Sequence, residues 1–247
     1  MTIKNSLTFI LVLFFSMSVC AQKLMVVTEE LPPYNYKKKN GRIGGLATAV
    51  LSKVLKKSKI EFRLRLYPRD KAYDIVQKIK NAMMYSVSRD TDKEKKFKWV
   101  GPFAAGDVHL FKLKERKDLT ITKLEDAKKY KIGGVTEDSV TDILINKGFK
   151  EGEQIEIVPS NKINLRKLFT KRIDFIMGTP LVVANSLKNE KLSFSKIESA
   201  VIVSQGSGYY FAFNPNISDE LFNNFNNTFE EMKKTGIIEK VYSKYLK

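Results

Sequence analysis

From residue 24 onward the sequence alternates between short strand-like runs and amphipathic helical stretches, and this alternation constrains the fold more than any other feature. KLMVVTEE reads as a short buried strand that ends in acids. Leu46 to Lys56 puts Leu46, Val50, Val54 and Leu55 on one helical face. EFRLRL, residues 61–66, alternates as a half-buried strand does. Asp70 to Lys80 is helical, with Tyr73, Ile75, Val76 and Ile79 as its apolar side, and Ala82 to Val87 is a third strand. Strand, helix, strand, helix, strand is the grammar of an α/β unit with a mainly parallel sheet.

The second half repeats the grammar. Asp107 to Leu113, Lys131 to Val135, Gln154 to Val158 and Ile173 to Met177 read as strands. Between and after them, Leu124 to Tyr130, Ser139 to Lys147, Asn164 to Thr170 and Leu181 to Leu187 read as helices. Ser139 is expected to cap its helix, and Gly148 to stop it. GYYFAF, residues 208–213, is an aromatic strand. Two closing helices follow, the first capped by Ser218 and ended by Gly236. No repeat of solenoid length is present, and 247 residues fit one large or two modest domains.

Composition removes several function classes. Residues 1–21 have a basic start at Lys4, an apolar run from Leu7 to Val19 and a small-residue end at Val19-Cys20-Ala21, as a cleaved signal peptide does. Val19 directly before Cys20 fits a lipoprotein anchor poorly. Cys20 is the only cysteine and His109 the only histidine. A processed chain therefore lacks a disulfide, a thiolate nucleophile and the ligands of His-rich zinc sites. The formal charge of +17 falls by one without residues 1–21, which hold Lys4 and no acid. That balance suits an anionic ligand or an anionic envelope surface. Export argues against nucleic acid.

One stretch concentrates polar chemistry. SVSRDTDKEKKFKWVGPF, residues 86–103, runs from a strand end through a charged turn into an aromatic strand that is expected to end at Gly-Pro. Hydroxyls, backbone N–H groups and a cation in one turn can cradle a carboxylate. A solvated loop satisfies the same residues.

TEELPPYNY, GRIGG, SRDTDKEKKFKWVGPF, LEDAKKYKIGGVTEDS, RIDFIMGTP and the closing ISDELFNNFNNTFEEMKKTGIIEKVYSKYL together resemble, in order and spacing, the periplasmic solute-binding proteins of the polar-amino-acid type (bacterial extracellular solute-binding protein family 3). The resemblance implies a two-lobed type II periplasmic-binding-protein fold. Each lobe would be a mainly parallel sheet flanked by helices, and a two-strand hinge would join them. Residues 22–105 and 208–247 would form lobe 1, and 106–207 lobe 2. The ligand would sit between the lobes and stabilise closure.

The resemblance also implies site residues. Lys93 falls where the family's carboxylate-binding Arg stands, with Arg89 as an alternative cation. Ser86 and Ser88 fall at two further contact positions of that turn. Ser139, with Asp138, opens a helix whose N–H groups favour a negative ligand group. Thr179 stands where amino-acid binders place the Asp that holds the ammonium, so Glu29 or Glu30 would have to take over that role. Arg69 replaces an aromatic that stacks on the ligand, and Tyr34 and Tyr36 would line the same wall. Trp99 and Phe97 read as core. Arg69, Arg89 and Lys93 converging would select an anionic ligand with more than one acceptor.

The expected function is a monomeric, exported, periplasmic receptor, without catalytic residues, cofactor or metal. It would deliver a small anionic or carboxylate-bearing ligand to an ABC permease or a membrane sensor. The alternative is an enzyme on the same scaffold, similar to cyclic-acid dehydratases, with Glu29, Glu30 or Glu137 as general acid.

Overall fold

The computed structural model describes residues 23–136 and 138–246, and of Ser139 the backbone only. The expected signal peptide, Cys20 and Glu137 lie outside the described residues.

Two five-stranded sheets organise the chain. In chain order the elements of the first are β1 (Leu24–Thr28), a small hairpin of β2 (Tyr36–Lys37) and β3 (Ile43–Gly44), α1 (Leu46–Ser58), β4 (Phe62–Leu66), α2 (Arg69–Lys78), β5 (Ala82–Ser88) and β6 (Lys98–Ala104). The second is built from β7 (Val108–Leu113), β8 (Ile132–Val135), α3 (Ser139–Asn146), β9 (Ile155–Val158), α4 (Asn161–Phe169), β10 (Phe175–Gly178), α5 (Pro180–Asn189) and β11 (Ile197–Ser204). The chain then returns through β12 (Tyr209–Phe213), α6 (Asp219–Lys234) and α7 (Ile237–Tyr245).

Strand order is β4-β1-β5-β12-β6 in the first sheet and β11-β7-β10-β8-β9 in the second. In each, four strands point one way and one is reversed: β12 in the first, antiparallel to β5 and β6, and β7 in the second, antiparallel to β10 and β11. The sheets are thus mainly parallel in direction, although half of their pairings are antiparallel. The chain crosses between sheets at residues 105–107 and again at 205–208.

Sequence pattern follows position in the sheet. β1 and β5 are inner strands covered on both faces, and LMVVT and AMMYSVS are nearly continuous apolar runs. β4 is an edge strand, and its FRLRL keeps Arg63 and Arg65 in solvent, which discourages further strand pairing. β6 does not stop at Gly101-Pro102 but continues to Ala104, because on an edge strand proline removes no needed donor.

The first core closes when the chain returns. Phe211 and Phe213 of β12 meet Phe225 and Phe229 of α6 edge-on, at ring separations of 5.0 to 5.7 Å. All four are fully buried, each contributing about 2–3 kcal/mol of transfer free energy. The second sheet is covered on one side by a core around Leu110, Ile132, Leu144 and Phe175, and on the other by one around Phe111, Leu165, Leu168 and Leu187.

Three local expectations need correction. Asp138, not Ser139, is the cap of α3: its side chain accepts from the Val140 N–H at 3.1 Å, and Ser139 is the first helical residue. α4 begins at Asn161, earlier than its apolar period shows, because its first turn carries polar residues. The sequence reading assigns no element between Leu187 and Gly208, yet β11 lies there. Register shifts at Ser199/Val201 and Ile202/Ser204 break the alternation that would have revealed it.

Candidate functional site

The loop after β1 and the start of α5, each following the carboxyl end of a parallel strand in its own sheet, meet through Tyr34 and Thr179. β1 ends at Thr28 and β5 at Ser88, where Tyr209 opens β12 alongside. In the second sheet β8 ends before α3, and β10 ends before α5. Two helix N-termini therefore open at this end of the second sheet, where the backbone dipoles favour negative charge.

The loop after β1 is tied down at both ends. Asn35 is fully buried and donates its Nδ2–H to the Glu29 carbonyl at 2.6 Å. The Pro33 and Tyr34 carbonyls accept the first N–H groups of α1, from Leu46 at 3.1 Å and Ala47 at 2.8 Å. That contact requires Gly45, with φ of 111°, because a Cβ there would stand 2.3 Å from the Tyr34 carbonyl oxygen. Tyr34 is consequently fixed, and it is buried rather than a rim residue.

Tyr34 reaches across. Its hydroxyl lies 3.4 Å from Thr179 Oγ1, and its ring packs on Tyr209 with centroids 4.3 Å apart. Thr179 caps α5 by accepting the Val182 N–H, also at 3.4 Å. Behind it, Leu181 is fully buried in the core of the first sheet. Burial pushes Tyr34 well above the usual phenol range and raises Tyr209 as well, so both are neutral hydrogen-bonding groups.

Beside Tyr209 stand Glu29 and Arg69. Arg69 Nη1 is 4.0 Å from Glu29 Oε1; the arginine side chain is 58% exposed and the glutamate side chain 15%. Arg69 also lies over the Tyr73 ring at 5.8 Å. Burial raises the Glu29 carboxyl above its ordinary value; Arg69 offsets part of this, and Asp70 adds to it. Glu30 turns away, is exposed, and accepts the Lys37 N–H at 3.2 and 3.4 Å.

The turn after β5 holds two of the three expected cations. Arg89 makes a paired contact with Glu94, at 2.6 and 2.5 Å, and lies over the Trp99 and Tyr210 rings at 5.8 and 5.6 Å. Its partner is neither Asp90 nor Asp92. Lys93 folds back onto Asp90 within its own turn and reaches the Ser88 carbonyl at 3.5 Å. These bonds hold Glu94 and Asp90 below the usual carboxylate range. Arg89 and Lys93 thus each have an acid of their own turn, whereas Arg69 has Glu29 at 4.0 Å.

Ser86, within β5, is the unusual residue leading into this turn: it is passed over where the pairing with β12 shifts register between Tyr210 and Phe211. Its φ is 66°, it is 3% exposed, and its hydroxyl has no hydrogen-bond partner in the protein. A buried, unpartnered donor on a left-handed serine is costly twice over, and such strain gathers at functional sites. Asn35 Oδ1 is a second buried acceptor without a partner. Ser88 is half-buried, opposite Tyr209.

Tyr209 and Asn35 escaped the sequence reading. Tyr209 is hidden in the aromatic run GYYFAF, where nothing marks the first ring as facing the gap. Asn35 reads as an ordinary loop residue between Tyr34 and Tyr36. His109 is occupied, its Nδ1 lying 2.7 Å from Ser199 Oγ. Among the described residues no group of three or more His, Cys, Asp or Glu could hold a metal ion, and no helix is long and apolar enough to cross a membrane.

Comparison with known proteins follows the same outline. The family model described as "Bacterial extracellular solute-binding proteins, family 3" matches residues 24–247. A search of curated proteins returns no match. Among solved structures, the chain is similar to a polar amino acid ABC uptake transporter substrate-binding protein from Streptococcus thermophilus, at 15% identity and a TM-score of 0.78, covering 90% of this chain and 85% of that one. It is also similar to substrate-binding domain 2 of Lactococcus lactis GlnP in its open conformation, at 17% identity and a TM-score of 0.74, with 90% and 94% covered. A histidine kinase sensor domain with similarity to periplasmic binding proteins matches at 16% identity and a TM-score of 0.58, with 91% and 96% covered. At these identities the likeness establishes the fold.

Proposed function

The chain belongs to the bacterial extracellular solute-binding proteins of family 3, and on that premise we propose that it captures a small carboxylate-bearing solute between two lobes for an ABC importer. In this reading residues 22–105 and 208–247 form one lobe and 106–207 the other. The carrying observation is the contact between Tyr34 and Thr179, which joins the loop after β1 to the start of α5 and supports a site between them. The names of the Streptococcus thermophilus and Lactococcus lactis proteins support delivery to a transporter. Likeness to a kinase sensor domain supports a membrane sensor as the second reading.

Arg69 is assigned to the solute carboxylate, because Arg89 and Lys93 are engaged with Glu94 and Asp90 while Arg69 has only a long contact with Glu29. Glu29 is assigned to an amino group, which makes the preferred solute amino-acid-like. A bound ammonium would also relieve the cost of keeping Glu29 charged where it is half-buried. Ser86, Ser88 and the N-terminal turn of α3 supply uncharged donors. The reading is a receptor, as the family is, rather than an enzyme.

A thermal-shift screen tests this, with amino acids, dicarboxylates, aromatic acids, small peptides and sugar acids. A solute at a hundred times its Kd stabilises the folded state by about 2.7 kcal/mol, a rise of roughly 5–10 °C for a chain of this size. Carboxylates with an amino group should give that rise, and Arg69→Gln and Glu29→Gln should each weaken it. Shifts from solutes without a carboxylate only, or unchanged affinity in both variants, would overturn the assignment.

A further inference from the structure

The hairpin β2–β3 and the helix that follows carry an unusual charge distribution. Residues 31–60 hold eight Lys and Arg and neither Asp nor Glu. Four of the eight, Lys37, Lys38, Lys39 and Arg42, occupy the six-residue tip of the hairpin, where residues 37–42 are all exposed. The tip is well formed: Lys38 N–H donates to the Arg42 carbonyl at 2.8 Å, Gly41 N–H to the Lys38 carbonyl at 2.9 Å, and Arg42 N–H to Asn40 Oδ1 at 3.1 Å. Tyr36 and Tyr245 lie close enough to influence each other, so the base of the hairpin rests near the end of α7. The other four, Lys53, Lys56, Lys57 and Lys59, lie on the exposed side of α1 and at its C-terminal cap.

Few acids answer these charges. Glu30 accepts the Lys37 backbone N–H, and Glu231 pairs with Lys57 at 2.6 Å. None of Lys37, Lys38, Lys39 and Arg42 makes an ion pair with a described residue. Cations without partners on a rigid, exposed hairpin are not needed to hold it, since its own backbone bonds do that.

We propose that this hairpin docks the protein on an anionic lipid surface. The composition separates lipid from an acidic protein partner. Protein interfaces concentrate aromatic residues and Arg and are depleted of Lys. Here seven of the eight cations are Lys, and the exposed tip, residues 37–42, holds no aromatic residue, Tyr36 standing half-buried at the hairpin's base. A cluster of four or more basic residues is attracted to anionic headgroups by about 1 kcal/mol for each Lys or Arg near the surface. The contact is electrostatic, reversible and salt-sensitive.

Vesicle co-sedimentation tests the proposal with protein that lacks residues 1–21, since all the described strands and helices lie after that segment. The vesicles are phosphatidylcholine alone, or with about 30% phosphatidylglycerol, at low and high salt. Binding should require phosphatidylglycerol and fall with salt. A variant with Lys37, Lys38, Lys39 and Arg42 all replaced by Gln should lose binding roughly tenfold or more. A control variant replaces Lys114, Lys129, Lys147 and Lys196, all exposed on the second-sheet side, by Gln; it removes the same charge and should stay within about threefold of the parent. Melting temperatures confirm that both variants fold. Equal losses in the two variants would reduce the effect to net charge and overturn the proposal. So would absence of binding by the parent, or tighter binding to immobilised polyglutamate than to vesicles, which would assign the hairpin to an acidic protein.

Discussion

Replacing Ser86 should make the protein more stable and a poorer binder. Two features of this residue oppose folding: a left-handed backbone at φ 66° and a buried hydroxyl without a partner. A left-handed conformation costs a non-glycine residue about 1–2 kcal/mol. An unsatisfied buried hydroxyl costs about 1–3 kcal/mol. Ser86→Gly removes both and introduces a backbone-entropy penalty of about 0.5–1 kcal/mol. The net expectation is a gain of about 2 kcal/mol, or about 4–8 °C in melting temperature for a chain of this size. Ser86→Ala removes the hydroxyl but keeps the strained backbone, so its gain should be smaller, about 1 kcal/mol. The difference between the two variants isolates the strain. Solute affinity should move the other way, falling about threefold to tenfold in both, if the hydroxyl meets the ligand. Urea unfolding and calorimetric titration read the two effects separately. Destabilisation in both variants would refute the reasoning, since it would mean that the hydroxyl already has a partner worth keeping.

Three other expectations follow from contacts described above. Tyr34→Phe removes the hydroxyl that meets Thr179 while leaving the ring on Tyr209, and should raise the open fraction in solution scattering by an amount matching about 0.5–1.5 kcal/mol; an unchanged scattering profile would count against a latch at this contact. Glu29 has a raised carboxyl pKa in the folded protein, so the stability it contributes is full below its unfolded value of 4.5 and is lost as pH rises through the folded value. Glu29→Gln should therefore stabilise the solute-free protein at pH 7, and the advantage should shrink as pH falls below that window; an advantage independent of pH would exclude burial of the charge as the cause. Phe211→Ala removes a ring that meets Phe103, Phe225 and Phe229 and should cost about 3–5 kcal/mol in chemical unfolding, whereas a loss below 1 kcal/mol would mean that the first core does not depend on the returning strand.

Particular residues show how far the sequence could be read. The inner strands were legible because burial on both faces demands uninterrupted apolar runs, as in LMVVT, and the edge strand FRLRL because one exposed side demands alternation. β11 was not, because two bulges shift IESAVIVS out of period. Asp138 displaced Ser139 as cap for a reason of geometry alone: either side chain is a competent acceptor, and the chain enters the helix one residue earlier than the motif suggests. Tyr34 and Thr179 are legible as candidate site residues, but not as partners, since a contact between residues 145 apart has no local signature. Arg89 and Lys93 were legible as cations in one turn. Which of Asp90, Asp92 and Glu94 each one takes depends on how the short helical turn at Glu94–Lys96 folds back.

Where the two crossings meet, the backbones touch. A Cβ on Gly206 would stand 2.4 Å from the Gly106 carbonyl oxygen, and one on Gly208 2.7 Å from the Ala104 carbonyl oxygen. Asp107 accepts the Gly206 N–H at 2.9 Å, pinning the two segments at one point. In the proposed capture of a solute between two lobes, this crossing, close-packed peptide planes pinned by the Asp107 side chain, would mark the axis. On that reading the contact of Tyr34 with Thr179, backed by the buried Leu181, would set how readily the lobes part. Leu181, behind Thr179 in the first core, is then a position from which solute affinity can be retuned without changing the glycine crossing.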